Sequence, residues 1–316
     1  MKLSDGANRL NHVLEKIMPV FPILGVVLGS LQPNVFIQLK PLVLWLFGVM
    51  TFSGALNLKV KEFGKAVSSP LPFILFLLVS NIVMPLTALA FSKLIFGNDI
   101  DTISGFVLLY SSPTAVVSFI WASILGGNLT LTLAIILINT VLSPFVIPGT
   151  LKLLLGKSVS IDTTGMFLTL VFMIVIPTVA GASINELSKG KIPSLIGPFL
   201  SPLSKILVVF IIAINSAAVA NQIHFNNPHL WMILAICICL SSFGFISGKL
   251  AGIAGKLNKE NQISLFTATG LRNTSAAMTL GIEFFPLPTV LPPVLGIMVQ
   301  QTIAAFMGRF LAKKTN

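Results

Sequence analysis

The chain has 316 residues, of which 55% are hydrophobic and 9% charged, with a mean hydropathy of +0.97. A soluble domain carries about 25% charged residues, so no soluble core of this length hides so much apolar surface. The composition is that of a polytopic membrane protein.

The charges divide the chain into ten apolar stretches of about 20 residues, the length at which a helix crosses a bilayer. In chain order these are residues 17–32, 41–58, 70–96, 103–125 and 129–155, then 164–186, 196–219, 230–254, 263–282 and 289–308. No charge lies between Asp101 and Lys152, or between Lys205 and Lys249, so each of these regions holds a pair of helices. Gly126-Gly127-Asn128 and residues 221–228 supply the turns within the pairs. The first sixteen residues are polar or amphipathic and run directly into a full span, so no cleavable leader is expected.

The net charge of +11 invites a nucleic-acid partner until its distribution is considered. With ten spans, fifteen of the twenty Lys and Arg fall on one side, from Lys2, Arg9 and Lys16 to Arg309, Lys313 and Lys314. Lys40, Lys93, Lys152 and Lys157 fall on the other side, with Arg272 inside a span. That asymmetry places both termini in the cytoplasm, in a cell (inner) membrane whose lipids are the partner of the basic loops. No nucleic-acid partner is expected. Cys237 and Cys239 point in different directions on one helix and read as packing residues, while His12, His224 and His229 sit near segment ends and read as solvated.

Five spans precede the loop at 157–162 and five follow it, so the two halves (about 17–155 and 164–308) insert with opposite orientation. Inverted repeats of this kind recur in secondary transporters. Pro19 and Pro177 stand 158 positions apart, and the same shift brings Ser112 onto Gly270. The fourth span is interrupted at Tyr110-Ser111-Ser112-Pro113-Thr114-Ala115, and the ninth from Thr267 through Thr269, Gly270, Leu271, Arg272, Asn273 and Thr274 to Ser275. Proline removes an N–H and clashes with the preceding turn, and broken spans in corresponding places of two halves point to a transporter binding site. Arg272 is the sharpest feature: a guanidinium at membrane depth costs roughly 2.5–3.5 kcal/mol and marks a functional site.

At these residues the chain resembles the bile acid:sodium symporter family, within the bile/arsenite/riboflavin transporter group. Early segments are alike as well, in Leu46-Phe47-Gly48-Val49-Met50 with Leu56-Asn57-Leu58 and Phe63, then Asn128 and Leu142-Ser143-Pro144. The resemblance implies an all-α membrane protein forming one transporter domain over residues 1–316. Its ten transmembrane helices form two inverted five-helix repeats with broken, crossing helices 4 and 9. It also implies alternating access, a core of four helices per repeat moving against a smaller panel.

The family's sodium chemistry is altered. Its ninth helix typically reads E-x-G-x-Q-N, where this chain has Ala268-Thr269-Gly270-Leu271-Arg272-Asn273. Its fourth-helix P-G-G-T-A-S-N appears as Pro113-Thr114-Ala115-Val116-Val117-Ser118-Phe119. Of the fifth-helix hydroxyl ligands Thr132 is present, with Ile136 where a second belongs, so Ser118 and Thr132 are residual sodium-site-like positions. One glutamate and two sodium ions sum to +1, and so do Ala268 and Arg272 with no ion bound.

The expected function is secondary transport of organic anions, bile-acid-like or small carboxylates, by alternating access without sodium coupling, Arg272 replacing the bound cation. No resident cofactor or metal is expected. Expected substrate contacts are Arg272, Asn273, Thr267, Thr269, Gly270 and Thr274 from one break, with Ser111, Ser112, Thr114 and Ser118 from the other. Tyr110 packs on an apolar part of the ligand or in the core, and Asn139, Thr140, Gln300 and Gln301 are polar residues of neighbouring spans. Two alternatives stay open for the function, a conventional sodium symporter using backbone carbonyls and an anion-selective channel, and one for Arg272, that it snorkels or only braces carbonyls without touching substrate. An enzyme is not expected, since Asp, Glu and His are missing at depth.

Overall fold

A computed structural model describes residues 6, 10–14, 17, 20–56, 70–156, 158–223 and 226–312, with only the backbone for 309–312. Pro19, Asn57, Leu58, Phe63, Lys157 and His224 lie outside the described residues.

Helices occupy all ten apolar segments, and the described residues form no strand beyond one isolated bridge. They are α1 (Phe21–Leu31), α2 (Pro33–Ala55), α3 (Pro70–Phe96), α4 (Ile100–Ser111), α5 (Val117–Leu125) and α6 (Leu129–Leu155). Then follow α7 (Thr163–Leu187), α8 (Lys191–Ala217), α9 (Pro228–Ala254), α10 (Lys259–Gly270), α11 (Thr274–Phe284) and α12 (Leu291–Ala312, after a 3-10 turn at Leu287–Val290). Among the described residues, seven helical stretches are long and apolar enough to cross a membrane.

Helix starts are written locally. Asp99, Asn128, Asn227, Asn258 and Asn273 each accept a backbone N–H of the helix they precede, the role for which short polar side chains are selected. Gly126, at φ +77°, closes α5 in the left-handed conformation and lets the chain turn within two residues into α6. Several element starts share one spacing. Pro70 and Pro228 open α3 and α9, each 27 residues long, and Leu129 and Leu287 open the next long helix of each half; both pairs are 158 positions apart.

Two helices widen by a single π-turn, at Val79–Val83 in α3 and Val171–Val175 in α7. Each is followed by proline at the second position beyond, Pro85 and Pro177. Pro144, Pro148, Pro198 and Pro202 lie inside helices that stay regular, so proline alone does not produce the widening.

The chain divides into two compact units made of alternating segments: Met1–Lys61 with Leu168–Ala220, and Glu62–Phe167 with Asn221–Asn316. In the first, α1 lies on α8 through glycine: a Cβ on Gly25 would come within 2.7 Å of Ile212, and one on Gly29 would strike the Ala213 carbonyl. Gly181 brings α7 equally close to Ala55 of α2. Small residues let helix backbones approach where lipid supplies no hydrophobic drive. The second unit holds three of the five segments of each half, which corrects the expected four per repeat.

Within the second unit α9 lies along α10 through Gly244, Gly248 and Gly252. A Cβ on Gly248 would collide with the Thr269 hydroxyl and sit 2.6 Å from the Leu265 carbonyl. Gly248→Ala is therefore expected to destabilise the protein by about 1–3 kcal/mol, read as a lower unfolding temperature in detergent, whereas Gly149→Ala, facing open space, changes nothing.

Candidate functional site

The site is built where two helices stop and restart. α4 ends at Ser111 with Ser112 extended (φ −64°, ψ 153°), and α5 starts at Val117. α10 ends at Gly270 with Leu271 extended (φ −105°, ψ 107°), and α11 starts after Asn273. The second break is narrower than expected. Thr267 and Thr269 remain helical, and their hydroxyls are satisfied by carbonyls one turn back, Ile263 O at 3.2 Å and Leu265 O at 2.7 Å.

Unwinding leaves backbone donors and acceptors with no helical partner, and at membrane depth each must be satisfied inside the protein. The two extended segments satisfy one another. Thr114 and Arg272 form an antiparallel bridge in which Ala115 N donates to Leu271 O (3.0 Å) and Asn273 N donates to Pro113 O (2.7 Å). Thr114 and Arg272 are 158 positions apart, and the same shift turns either of these bonds into the other.

The side chains follow the same logic. Thr114 Oγ1 donates to Ala268 O in the last turn of α10 (2.9 Å) and accepts from Asn139 Nδ2 of α6 (3.3 Å). Arg272 reaches the other way: Nη1 donates to Ser112 O at the end of α4 (3.2 Å) and to Ser80 Oγ (2.6 Å). Nη2 donates to Ser80 O (2.8 Å), and the Arg272 backbone N–H donates to Gln300 Oε1 of α12 (2.9 Å). Each bridging residue thus closes the C-terminal end of the opposite broken helix. A cation is favoured there, because the last carbonyls carry the negative end of the helix dipole.

Arg272 is 1% exposed, and its Nε finds no partner among the described residues. The guanidinium braces α3 and the end of α4 against the α10–α11 break. Its acceptors are two backbone carbonyls and one hydroxyl rather than a carboxylate.

The structure brings Arg272, Asn273, Ser112 and Thr114 together and leaves other expected contacts in the helix bodies. Asn273 caps α11 through Ala276 N (3.1 Å). Ser112 Oγ donates to Leu109 O (2.6 Å). Thr269 Oγ1 also reaches Gly244 O (2.8 Å), and Thr267 Oγ1 reaches Ser264 O (3.1 Å). Gly270 lies against the Phe245 ring, Thr274 is buried, and Ser111 and Ser118 are buried with no partner for their hydroxyls among the described residues. The surface left at the crossing belongs to Ala115, Val116 (61% exposed), Asn273 and Ser275.

Of the positions that the resemblance matches to the family's ion ligands, Ala268, Ile136 and Thr132 are apolar or internally bonded, and Ser118 is buried with its hydroxyl unpartnered among the described residues. Ala268 sits in a cluster with Phe73, Phe76, Leu131, Ala134, Ile135 and Leu265. Thr132 Oγ1 donates to Asn128 O of its own helix (2.9 Å), and Ile136 is buried.

Outside the crossing, the Tyr110 hydroxyl lies 3.0 Å from Ser241 Oγ, as a core aromatic does, and Trp121 Nε1 donates to Gln301 Oε1 (2.8 Å). His229 pairs with Asp99 at 3.2 Å, at the start of α4 and α9. Ser80, which accepts twice from Arg272, is the residue at the crossing that the sequence did not single out; its signal is a Ser-Asn pair within an apolar helix, five residues before proline.

Residues 43–225 match the model of the Sodium Bile acid symporter family. Over 294 residues the chain is 37% identical to the uncharacterized protein YbaS of Bacillus subtilis (strain 168), covering 93% of this chain and 96% of that one. It is 20% identical over 312 residues to YocS of the same organism, described as an uncharacterized sodium-dependent transporter (98% and 95% covered). It is also 24% identical over 291 residues to the probable sodium/metabolite cotransporter BASS1, chloroplastic, of Arabidopsis thaliana (90% and 71% covered).

Thr114→Val keeps the shape but strands the Ala268 carbonyl and the Asn139 amide. Thermal unfolding is expected to register a loss of about 1–3 kcal/mol, with Thr114→Ser restoring most of it; equal losses for Val and Ser would show that the hydroxyl is not what holds the crossing.

Proposed function

The chain belongs to the sodium bile acid symporter family, an integral membrane transporter and not an enzyme, and from that premise we propose that it moves organic anions without sodium coupling. By the motif resemblance, Arg272 stands at the glutamine of the family's ninth-helix break. The carrying observation is the guanidinium on Ser80 O, Ser80 Oγ and Ser112 O, with Ala268 in an apolar cluster at the family's glutamate position. A sodium ion needs several oxygen ligands, preferably with a carboxylate. The residues at the crossing do not fit one: Ser80 O and Ser112 O are taken by a covalently attached cation, and the carboxylate is a methyl group.

The charge arithmetic supports the same reading. The crossing keeps the +1 that one glutamate and two sodium ions would leave, so the field presented to an anion is preserved. The surface at the crossing, Ala115, Val116, Asn273 and Ser275 at the starts of α5 and α11, offers helix N-termini to a carboxylate and an apolar edge to the remainder of a bile-acid-like or smaller organic acid. Arg272 acts behind that surface, as positive charge rather than as a direct contact.

The common shift of 158 supports ten spans in two inverted repeats crossing at Thr114 and Arg272, with alternating access as the mode of work, and the distribution of Lys and Arg supports both termini cytoplasmic. Direction follows from the potential. One charge crossing the membrane is worth about 2.3 kcal/mol per 100 mV, so an anion entering an inside-negative cell without sodium moves uphill. Efflux, exchange or facilitated diffusion results.

The second reading is a sodium-dependent symporter, favoured by what the names of YocS and BASS1 say of those proteins. Proteoliposome flux of an organic acid distinguishes the two. Replacing sodium by choline on both sides is expected to change the rate by less than about twofold, and a sodium gradient to drive no accumulation. Accumulation of the acid driven by a sodium gradient would establish the symporter instead.

A further inference from the structure

We propose that Pro85 is a positioning residue for Arg272, acting through the backbone carbonyl of Ser80. The inference rests on the role of Arg272 as a fixed cation and adds the device that makes its binding place.

In a regular helix the carbonyl of residue 80 accepts from the amide of residue 84. Here Met84 N–H donates instead to Val79 O, five residues back, across the π-turn. The next candidate donor is residue 85, and proline has no N–H. Ser80 O is thereby left with no amide from its own helix at either spacing. Arg272 Nη2 takes it at 2.8 Å, and Nη1 takes the hydroxyl of the same residue at 2.6 Å.

Both acceptors are fully buried, where an unmet carbonyl is costly. The same construction recurs in α7, where Ile176 N–H donates to Val171 O ahead of Pro177. A π-turn followed by proline therefore exposes one carbonyl in each case. The four prolines inside regular helices instead free the carbonyl four residues back; Thr140 O, freed by Pro144, is taken by the nearby Ser143 hydroxyl at 2.7 Å.

Alanine at position 85 restores the missing N–H and relieves the ring's clash with the preceding turn. Ser80 O can then be satisfied within α3, and the guanidinium loses a charge-assisted bond. Pro85 and Arg272 are coupled in this way although 187 positions separate them in the sequence.

The test is a double-mutant cycle on purified protein in detergent, read as unfolding temperature and independent of any transport assay. Pro85→Ala and Arg272→Ala are each expected to lower it by about 5 °C. The double variant is expected to unfold no earlier than Arg272→Ala alone. As a second readout, millimolar guanidinium ion is expected to raise the unfolding temperature of Arg272→Ala by refilling the vacated place, and to have no effect on the double variant.

Additive losses, a double variant that yields no folded protein where Arg272→Ala does, or equal guanidinium protection of both would each overturn the role of Pro85. Sodium-dependent flux in wild type, with the cycle still non-additive, would overturn the transport reading and leave this inference standing.

Discussion

Everything at the crossing depends on how a buried positive charge is held without a carboxylate. Arg272 gives its two terminal nitrogens to Ser80 and Ser112, so the charge is solvated by oxygen dipoles rather than by an opposite charge. The guanidinium is suited to this because it presents several donors in one plane and is weakly hydrated. A lysine would offer a compact, strongly hydrated ammonium, without the planar fork that reaches both Ser80 and Ser112. The bonds tie α3, α4 and the α10–α11 break into one assembly.

Broken helices are expensive in lipid, and this unit limits the cost by making each break the complement of the other. The reciprocal bonds between Pro113, Ala115, Leu271 and Asn273 satisfy the backbone, while Thr114 and Arg272 cap each other's helix ends. The pattern is symmetric in the main chain and asymmetric in the side chains. A neutral hydroxyl serves one end and a cation the other. On the proposed reading, that asymmetry places a permanent charge where the resembled motif has ion ligands.

The surroundings make the exchange hard to reverse by one substitution. Ala268 faces Phe73, Phe76 and Ile135, so a carboxylate introduced there alone would be desolvated by an apolar cluster, with its nearest compensating charge already engaged on carbonyls. Gly248 and Gly270 add a steric constraint, since α9 lies so close to α10 that Thr269 shares its hydroxyl with a carbonyl of the neighbouring helix. Polarity, packing and charge at the crossing are therefore coupled, and changes in one require changes in the others.

Much of the fold could be read directly from the chain. Hydropathy and charge placed helices at 70–96 and 129–155 with the bounds the structure has, because burial in lipid is a local property of each segment. Proline, glycine and a lone arginine marked both interruptions for the same reason: each alters the backbone or the desolvation cost where it stands. What the tertiary structure alone decided is which partner each stranded group meets. Thr267 and Thr269 look like ligands in sequence, yet Thr267 serves its own helix and Thr269 its own and α9, and Ser80 looks like filler yet receives the guanidinium from 192 positions away. Hydrogen bonds to backbone carbonyls carry no residue-type signature, and a carbonyl becomes available only through the local winding of its helix, so these pairings emerge only when the helices are assembled.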